Sequence, residues 1–357
     1  MTVLPAETPA PIALTMGDAA GIGPEIIARL FQRRPEWSSR CVVIGDVAAL
    51  RRGAQLVGGV PVAELSGPAE AAAVPPGAVP LWPAVRLAAL PPWGQVSASA
   101  GRVAAEAVEL AAEAALRGEV AAVVTAPLAK AALAAAGIPF PGHTELLQAV
   151  AARHLGVPVH RLPVRMMLSN TQLRTVLVSI HVPLRQALEL VTPANLDETL
   201  QITHEHFTRM LGWPACRIAV AGLNPHAGED GLFGREELDI IAPAVARARA
   251  AGIDAHGPLP PDTVFLRARQ GEFDVVIAQY HDQGLIPVKV TGLADGVNST
   301  LGLPFVRTSP DHGTAFDIAG RGCADPASLE AAVQAALEAV EARMRARARG
   351  GGSPGRS

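Results

Sequence analysis

Residues 12–33 read IALTMGDAAGIGPEIIARLFQR. Ile12–Thr15 is an apolar run of strand length, Pro24–Arg33 has helical character, and Gly17, Gly21 and Gly23 fall in the turn between them. Glycine permits the tight turns and close ligand approach needed where a strand hands over to a helix. Pro24 sits in the first helical turn, where its missing N–H is harmless, and Glu25 suits the positive end of the helix dipole. The spacing is not the G-x-G-x-x-G dinucleotide fingerprint. Nor is it a P-loop, because no Gly-Lys-Ser/Thr follows.

Outward from this unit the same alternation continues. Cys41–Ile44, Ala121–Thr125, Arg165–Leu168, Thr175–Ile180, Arg217–Ala221 and Val275–Ala278 read as strands. The helices expected between and beyond them are Ala98–Arg117, Leu128–Ala136, Thr144–His154, Pro193–Leu211, Glu236–Ala251 and Pro326–Arg347. Such alternation implies an α/β fold, a largely parallel sheet covered by helices. The Pro/Gly-rich stretch Gly67–Gly94 shows neither period and reads as an irregular excursion or an edge hairpin. No internal repeat is evident, and weak domain boundaries suggest a chain that crosses between domains more than once.

With 49 % apolar and 18 % charged residues, the 357-residue chain is expected to be mostly folded, with room for two α/β domains. A net charge of -3 argues against a nucleic-acid protein. Cys41, Cys216 and Cys323 are odd in number and lack CxxC spacing, which fits a reducing, cytoplasmic setting. The opening MTVLPAETPA has no Lys or Arg and no continuous apolar run, so it does not read as a signal peptide. The apolar stretch Ser97–Leu116 is interrupted by Arg102, Glu106, Glu109 and Glu113, which excludes a membrane span there. The end, ARGGGSPGRS, reads as a frayed basic tail.

Of ten histidines, His181, His226 and His281 stand at or just beyond strand ends, where open α/β sheets place their ligands. Three neutral imidazoles that leave positions for substrate oxygens suit a catalytic Zn²⁺ or similar ion. Satisfied loop histidines are the competing explanation. Asp282 and Glu229 are either acceptors that orient these ligands or solvated loop acids. His204 and His206 cannot share a helix face and are expected to be solvated, and His256, before a Gly-Pro turn, to be structural. His143 lies just before a helix for which Thr144 is a candidate N-cap. Lys289, one of only two lysines, either snorkels from a strand edge or reaches an anion. Arg307 is either a surface residue at a strand end or a two-pronged grip on phosphate or carboxylate. Asn298 reads as a turn residue. Asp262 is a candidate general base, and equally a helix N-cap for the segment from Thr263.

A second glycine-rich segment, SPDHGTAFDIAGRGCADP, spans residues 309–326. It and the first loop resemble the two signature loops of the isocitrate and isopropylmalate dehydrogenases. The resemblance implies that His312, Gly313, Thr314 and Ala315 line the adenosine part of a dinucleotide, with Asp325 where that family often has Asn. It also implies two α/β domains around a central cleft. MGDAAGIGPEI, TAPLAK, AGIPFPGHTE, SIHVPLR, GLNPHAGEDG, HGPLPPDTVF, YHDQGLIPVK, GVNSTLGLPFVRTSPDHGTA and DIAGRG together resemble one family, the 4-hydroxythreonine-4-phosphate dehydrogenases. They run from residue 16 to residue 322.

That family implies a homodimer whose active site lies in an interdomain cleft near the subunit interface, with ligands from both subunits. The expected division is a cofactor-side domain of residues 1–140 with 290–347, a second domain of 141–289, and a tail of 348–357. His181, His226 and His281 would bind a divalent ion (Zn, Co, Mn or Mg). His143, Thr144, Lys289, Asn298 and Arg307 would contact substrate, with Lys289 as phosphate anchor or proton donor. The implied chemistry is NAD- or NADP-linked oxidation of 4-phosphohydroxy-L-threonine to a 3-oxo acid, which decarboxylates to 3-amino-2-oxopropyl phosphate. Paralogues act on phosphorylated threonate or erythronate, and RMMLSNTQLRTVLVSIHVPLRQAL resembles that branch nearly as closely. A further relative, which oxidises an aromatic cis-dihydrodiol dicarboxylate, loses the motif kept here as His143–Glu145. A metal-dependent hydrolase or lyase would need three histidines but no adenosine loop, so Ser309–Pro326 speaks against it.

Overall fold

A computed structural model describes residues 9–292 and 294–350, and side chains through residue 346. The tail read over 348–357 lies almost wholly outside the described residues. The chain divides into two compact units. The first holds the chain to Val159 and takes back Arg307–Leu337, and the second holds His160–Val306 and the chain from Glu338. The chain therefore crosses between units at 159/160, 306/307 and 337/338, and the helix at His143–Leu155 packs with the first unit.

The first unit begins β1 (Ile12–Thr15), α1 (Gly23–Arg33), β2 (Cys41–Ile44), α2 (Val47–Leu56), β3 (Val62–Glu64) and β4 (Val79–Trp82). It continues α3 (Ala98–Leu116), β5 (Ala122–Thr125), α4 (Lys130–Ala135) and α5 (His143–Leu155). The strands β3-β4-β2-β1-β5 lie side by side and parallel. Every residue of β1, β2 and β5 is buried, the pattern of strands covered on both faces. Asp46 caps α2 by accepting from the Ala49 N–H at 2.9 Å. α2 packs on α1 at Gly53, where a Cβ would come within 2.5 Å of the Pro24 backbone.

The excursion is neither irregular throughout nor a hairpin. β4 extends the sheet beside β2, and β3 pairs parallel to β4. Pro80 inside VPLW demotes that run as a strand in sequence terms, yet it precedes the pairing with β2, which begins at Val43 opposite Leu81, so its missing N–H falls outside that ladder.

The second unit holds β6 (Arg165–Ser169), β7 (Arg174–Leu177), α6 (Leu184–Glu189), α7 (Pro193–Glu205), β8 (Ile218–Ala221) and α8 (Ala242–Ala250). There follow β9 (Ala255–Leu259), α9 (Val264–Arg269), β10 (Val275–Ala278), α10 (His281–Thr291) and β11 (Val297–Leu301). The strand order is β11-β6-β7-β10-β8-β9, antiparallel at β11/β6 and β6/β7 and parallel beyond. One core holds Leu200, Phe207, Val220 and Ile277, and another Leu177, Val264, Leu285 and Val288. The chain returns to the first unit through β12 (Val306–Pro310), which neighbours β5, and through α11 (Ala327–Gly350) as far as Leu337.

Several expectations are corrected. The helix expected over Pro193–Leu211 stops at Glu205 and continues as a π-helical turn, His206–Met210. A second such turn, Glu237–Ile241, precedes α8. Asn298 lies in strand β11 opposite Leu168, not in a turn. Lys289 occupies the last turn of α10, not a strand edge, although Val288 and Val290 flank it and Pro287 lies inside the helix. Thr144 is not the N-cap of α5, a place taken by Gly142. Asp262 does not cap α9 either, since Thr263 does so without a side-chain bond.

Candidate active site

In the first unit the C-terminal end of β5 and the N-terminal start of β12 meet the start of α5. Arg307, only 4 % exposed, donates from Nη2 to Thr125 Oγ1 at 2.6 Å. It is neither a surface residue nor a simple strand end. Burial pushes its guanidinium down to about 10, and the charge of Glu145, two residues into α5, works in the other direction. His143 shares this surrounding: burial first, then the Arg307 charge, hold its imidazole well below the ordinary histidine range. Its Nε2 is buried without a hydrogen-bond partner. A neutral imidazole, a buried guanidinium and a helix start form a place with a strong preference for an anion.

The two glycine-rich loops also come together in this unit. The Ile22 N–H donates to Thr314 O at 3.1 Å, and a Cβ on Gly21 would approach Thr314 Cβ to 2.9 Å. Ala315 takes a left-handed φ of 43°. His312 is exposed, with Nδ1 3.0 Å from Gly313 O, so it is not a core histidine. Asp325 is turned to local work: its Oδ1 accepts from Ala327 N–H at 3.2 Å and pairs with Arg33 at 3.2 Å.

In the second unit His181, on the loop after β7, and His281, opening α10, stand with ring centroids 5.7 Å apart. His281 Nδ1 lies 2.7 Å from Asp282 Oδ1, which leaves Nε2 as the ring nitrogen that could hold a metal. His226 does not join this pair. It begins a run of five left-handed residues, His226–Asp230, that presents its exposed ring from the loop after β8. With Asp262, Tyr280 and Asp282 it lines an open cavity of about 680 Å³. Among the described residues no three of His, Cys, Asp and Glu converge on one point. The donor types suit a borderline divalent ion, and one chain assembles two of the three expected imidazoles.

The His226 loop is held from behind. Glu237, 2 % exposed, accepts from the Leu223 and Asn224 N–H groups at 2.7 Å each, and from Asn224 Nδ2 at 2.9 Å. Neither Glu237 nor Thr125 was legible as functional, and Tyr280, the only tyrosine of the chain, was a signal that composition alone offers.

His206 is not solvated. It packs edge-on against Phe207 at 5.4 Å, and burial pushes its imidazole down to about 4. His143 is shifted in the same direction. Below about 6.5 the unfolded chain binds protons that the folded chain refuses, so stability is expected to fall as pH drops from there towards 4. Urea midpoints between pH 7.5 and pH 5 should drop less in His206→Asn than in the unchanged chain. Parallel drops would rule out His206 as a source.

A buried cation beside a neutral imidazole and two joined glycine-rich loops mark the first unit of this α/β chain, and a pair of imidazoles marks the second. The comparisons say which family these features belong to. Residues 37–336 match the model of the family described as pyridoxal phosphate biosynthetic protein PdxA, and the chain belongs to that family. It is 52 % identical over 324 residues to the 4-hydroxythreonine-4-phosphate dehydrogenase of Beijerinckia indica, covering 90 % of this chain and 93 % of that one. It is 45 % identical over 334 residues to the D-threonate 4-phosphate dehydrogenase of Salmonella typhimurium, covering 92 % and 98 %. The crystal structure of the Klebsiella pneumoniae 4-hydroxythreonine-4-phosphate dehydrogenase matches with a TM-score of 0.84 at 41 % identity, covering 93 % and 99 %.

Proposed function

We propose that the chain oxidises 4-phosphohydroxy-L-threonine with NAD or NADP, in a reaction that requires a divalent metal. The 3-oxo acid formed decarboxylates to 3-amino-2-oxopropyl phosphate, a step in pyridoxal phosphate synthesis. The observation that carries the reading is the Arg307–Thr125–His143–Glu145 group, a buried cation site in a member of a family whose relatives are named for phosphorylated hydroxy acids. The alternative, the same chemistry on 4-phospho-threonate or 4-phospho-erythronate, is favoured by the 45 % identity to a D-threonate 4-phosphate dehydrogenase.

Arg307 binds the anionic end of the substrate with two N–H groups, and Glu145 balances its charge. His143, held neutral, offers Nε2 as a hydrogen-bonding atom without adding charge. Thr144 and Asn298 contribute polar contacts to the substrate. Asp262, on the wall of the cavity that His226 lines, is the general base and takes the hydroxyl proton on a carboxylate oxygen. Lys289 Nζ anchors phosphate or returns a proton to the product. His312, Gly313, Thr314 and Ala315 line the dinucleotide. Asp325, occupied by Ala327 and Arg33, supports that loop rather than the adenine.

His181 and His281, completed by His226, would hold the metal. When bound, the ion supplies a Lewis acid for the hydroxyl, and the nicotinamide supplies the hydride acceptor. Exposed apolar side chains on the second unit, including Val290 at 81 % and Leu232 at 72 %, support a homodimer.

The test is dinucleotide reduction followed by absorbance, with 4-phosphohydroxy-L-threonine and 4-phospho-threonate in parallel, with and without added Zn²⁺, Co²⁺, Mn²⁺ or Mg²⁺. Metal-dependent turnover, faster with the amino acid, is expected. Preference for the sugar acid would move the enzyme to sugar-acid catabolism. Absence of reduction with either would end the dehydrogenase reading.

A further inference from the structure

The segment Pro91–Gly94, at the end of the excursion, bridges both glycine-rich loops of the first unit. Its Gly94 N–H donates to Ala20 O in the first loop at 2.8 Å. Gly94 itself, at φ 70°, leaves no room for a side chain, since a Cβ would come within 2.5 Å of Phe316 O in the second loop. Trp93 lies against Gly320, whose missing Cβ would overlap the indole ring. On α2, Arg52 places its guanidinium 3.8 Å from the centre of the same indole. The two Nη atoms of Arg52 donate to Ala19 O at 2.8 Å and Pro91 O at 2.7 Å. One arginine and one tryptophan thus tie together three segments distant in sequence.

The second loop needs such support. Within it the Ile318 N–H reaches Ala315 O and the Arg321 N–H reaches Ile318 O, both at 3.1 Å. Ala315, Gly320 and Gly322 all take left-handed φ values. A loop with few internal bonds and several unusual backbone angles keeps one shape only where its surroundings impose it.

We propose that Trp93 and Arg52 form a clasp that positions the Thr314–Gly320 backbone for the dinucleotide, making both positioning residues for cofactor binding. The inference rests on reading Ser309–Pro326 as the dinucleotide loop, and it gives the excursion a function. Arg52 is committed to two carbonyls and an indole, so its role is to fix the wall of the site rather than to touch the cofactor. An aromatic ring is the natural choice for Trp93, because the flat faces of glycine and guanidinium stack on it without further bonds.

The test uses the full chain carrying Trp93→Ala, Trp93→Phe or Arg52→Met. Amide exchange of residues 314–320 is measured without ligands, and dinucleotide Kd, both KM values and kcat with ligands. Trp93→Ala is expected to speed exchange over 314–320 and to raise dinucleotide Kd and KM about tenfold, the scale of one lost cation–π contact and its packing. Substrate KM and saturated kcat should stay within about twofold, the ordinary effect of a change away from the reacting groups. Trp93→Phe should recover most of the affinity, and Arg52→Met should fall between. Unchanged exchange would overturn the clasp. Faster exchange with unchanged dinucleotide Kd would instead overturn the dinucleotide reading of the loop, and the inference with it. A joint loss in kcat and both KM values would reduce the clasp to general stability and overturn its positioning role.

Discussion

Arg307→Ala is expected to raise KM for the phosphorylated substrate on the order of 100-fold while leaving KM for the dinucleotide within about twofold. Arg307 is 4 % exposed, and burial pushes its pKa down to about 10, so the fold bears a desolvation cost to keep a cation there. Thr125 and Glu145 offset part of that cost. A bound phosphate or carboxylate, gripped by two parallel N–H groups, would offset more and would account for the position. Arg307→Lys should recover little, because an ammonium is a point charge that cannot reproduce the planar fork. Initial rates with each ligand varied in turn would check this, with urea unfolding as a control for folding. Equal rises in both KM values would sink the assignment.

That Arg307 and His143 belong together is legible only in part from sequence. Both stand out beside apolar or turn-forming neighbours, and the family resemblance assigns both to substrate. What sequence cannot supply is the third partner, since the bond joining Arg307 to Thr125 spans 182 residues and nothing local marks a threonine at a strand end. The same limit hides Glu237, which on its own is one more acid in a helical stretch.

The fold was more readable because its signals are local. IALT, CVVI and AVVT are apolar but for the closing Thr15 and Thr125 and are bounded by turns, so they read as strands buried on both faces. The misses share a cause as well. Pro80 in β4, the polar Asn298 and Ser299 in β11, and valines on either side of Lys289 in α10 each carry local preferences that packing overrides. The π-helical turns escaped because helical periodicity continues through them and only the hydrogen bonds change.

Glu237→Ala should destabilise the fold by about 3–5 kcal/mol, near the upper limit for a point substitution. His226, Ala227, Glu229 and Asp230 all hold φ between 43° and 54°, conformations that cost on the order of 1–2 kcal/mol each for residues with a Cβ. Glu237 stabilises this run by accepting from Leu223, Asn224 and the Asn224 amide. Gly228 belongs to the same design, because a Cβ there would come within 2.6 Å of Glu237 Oε2. Loss of the side chain strands the Leu223 and Asn224 N–H donors, while the Asn224 amide keeps Glu236 at 2.7 Å, so the loop should loosen and His226 should lose its fixed place on the cavity wall. Urea unfolding measures the stability, and amide exchange over 223–230 locates the change. Metal stoichiometry by elemental analysis should fall in parallel if His226 is a ligand. A loss under about 1 kcal/mol would mean that the loop holds its left-handed run without Glu237, and that the buried hydrogen bonds seen here are nearly neutral.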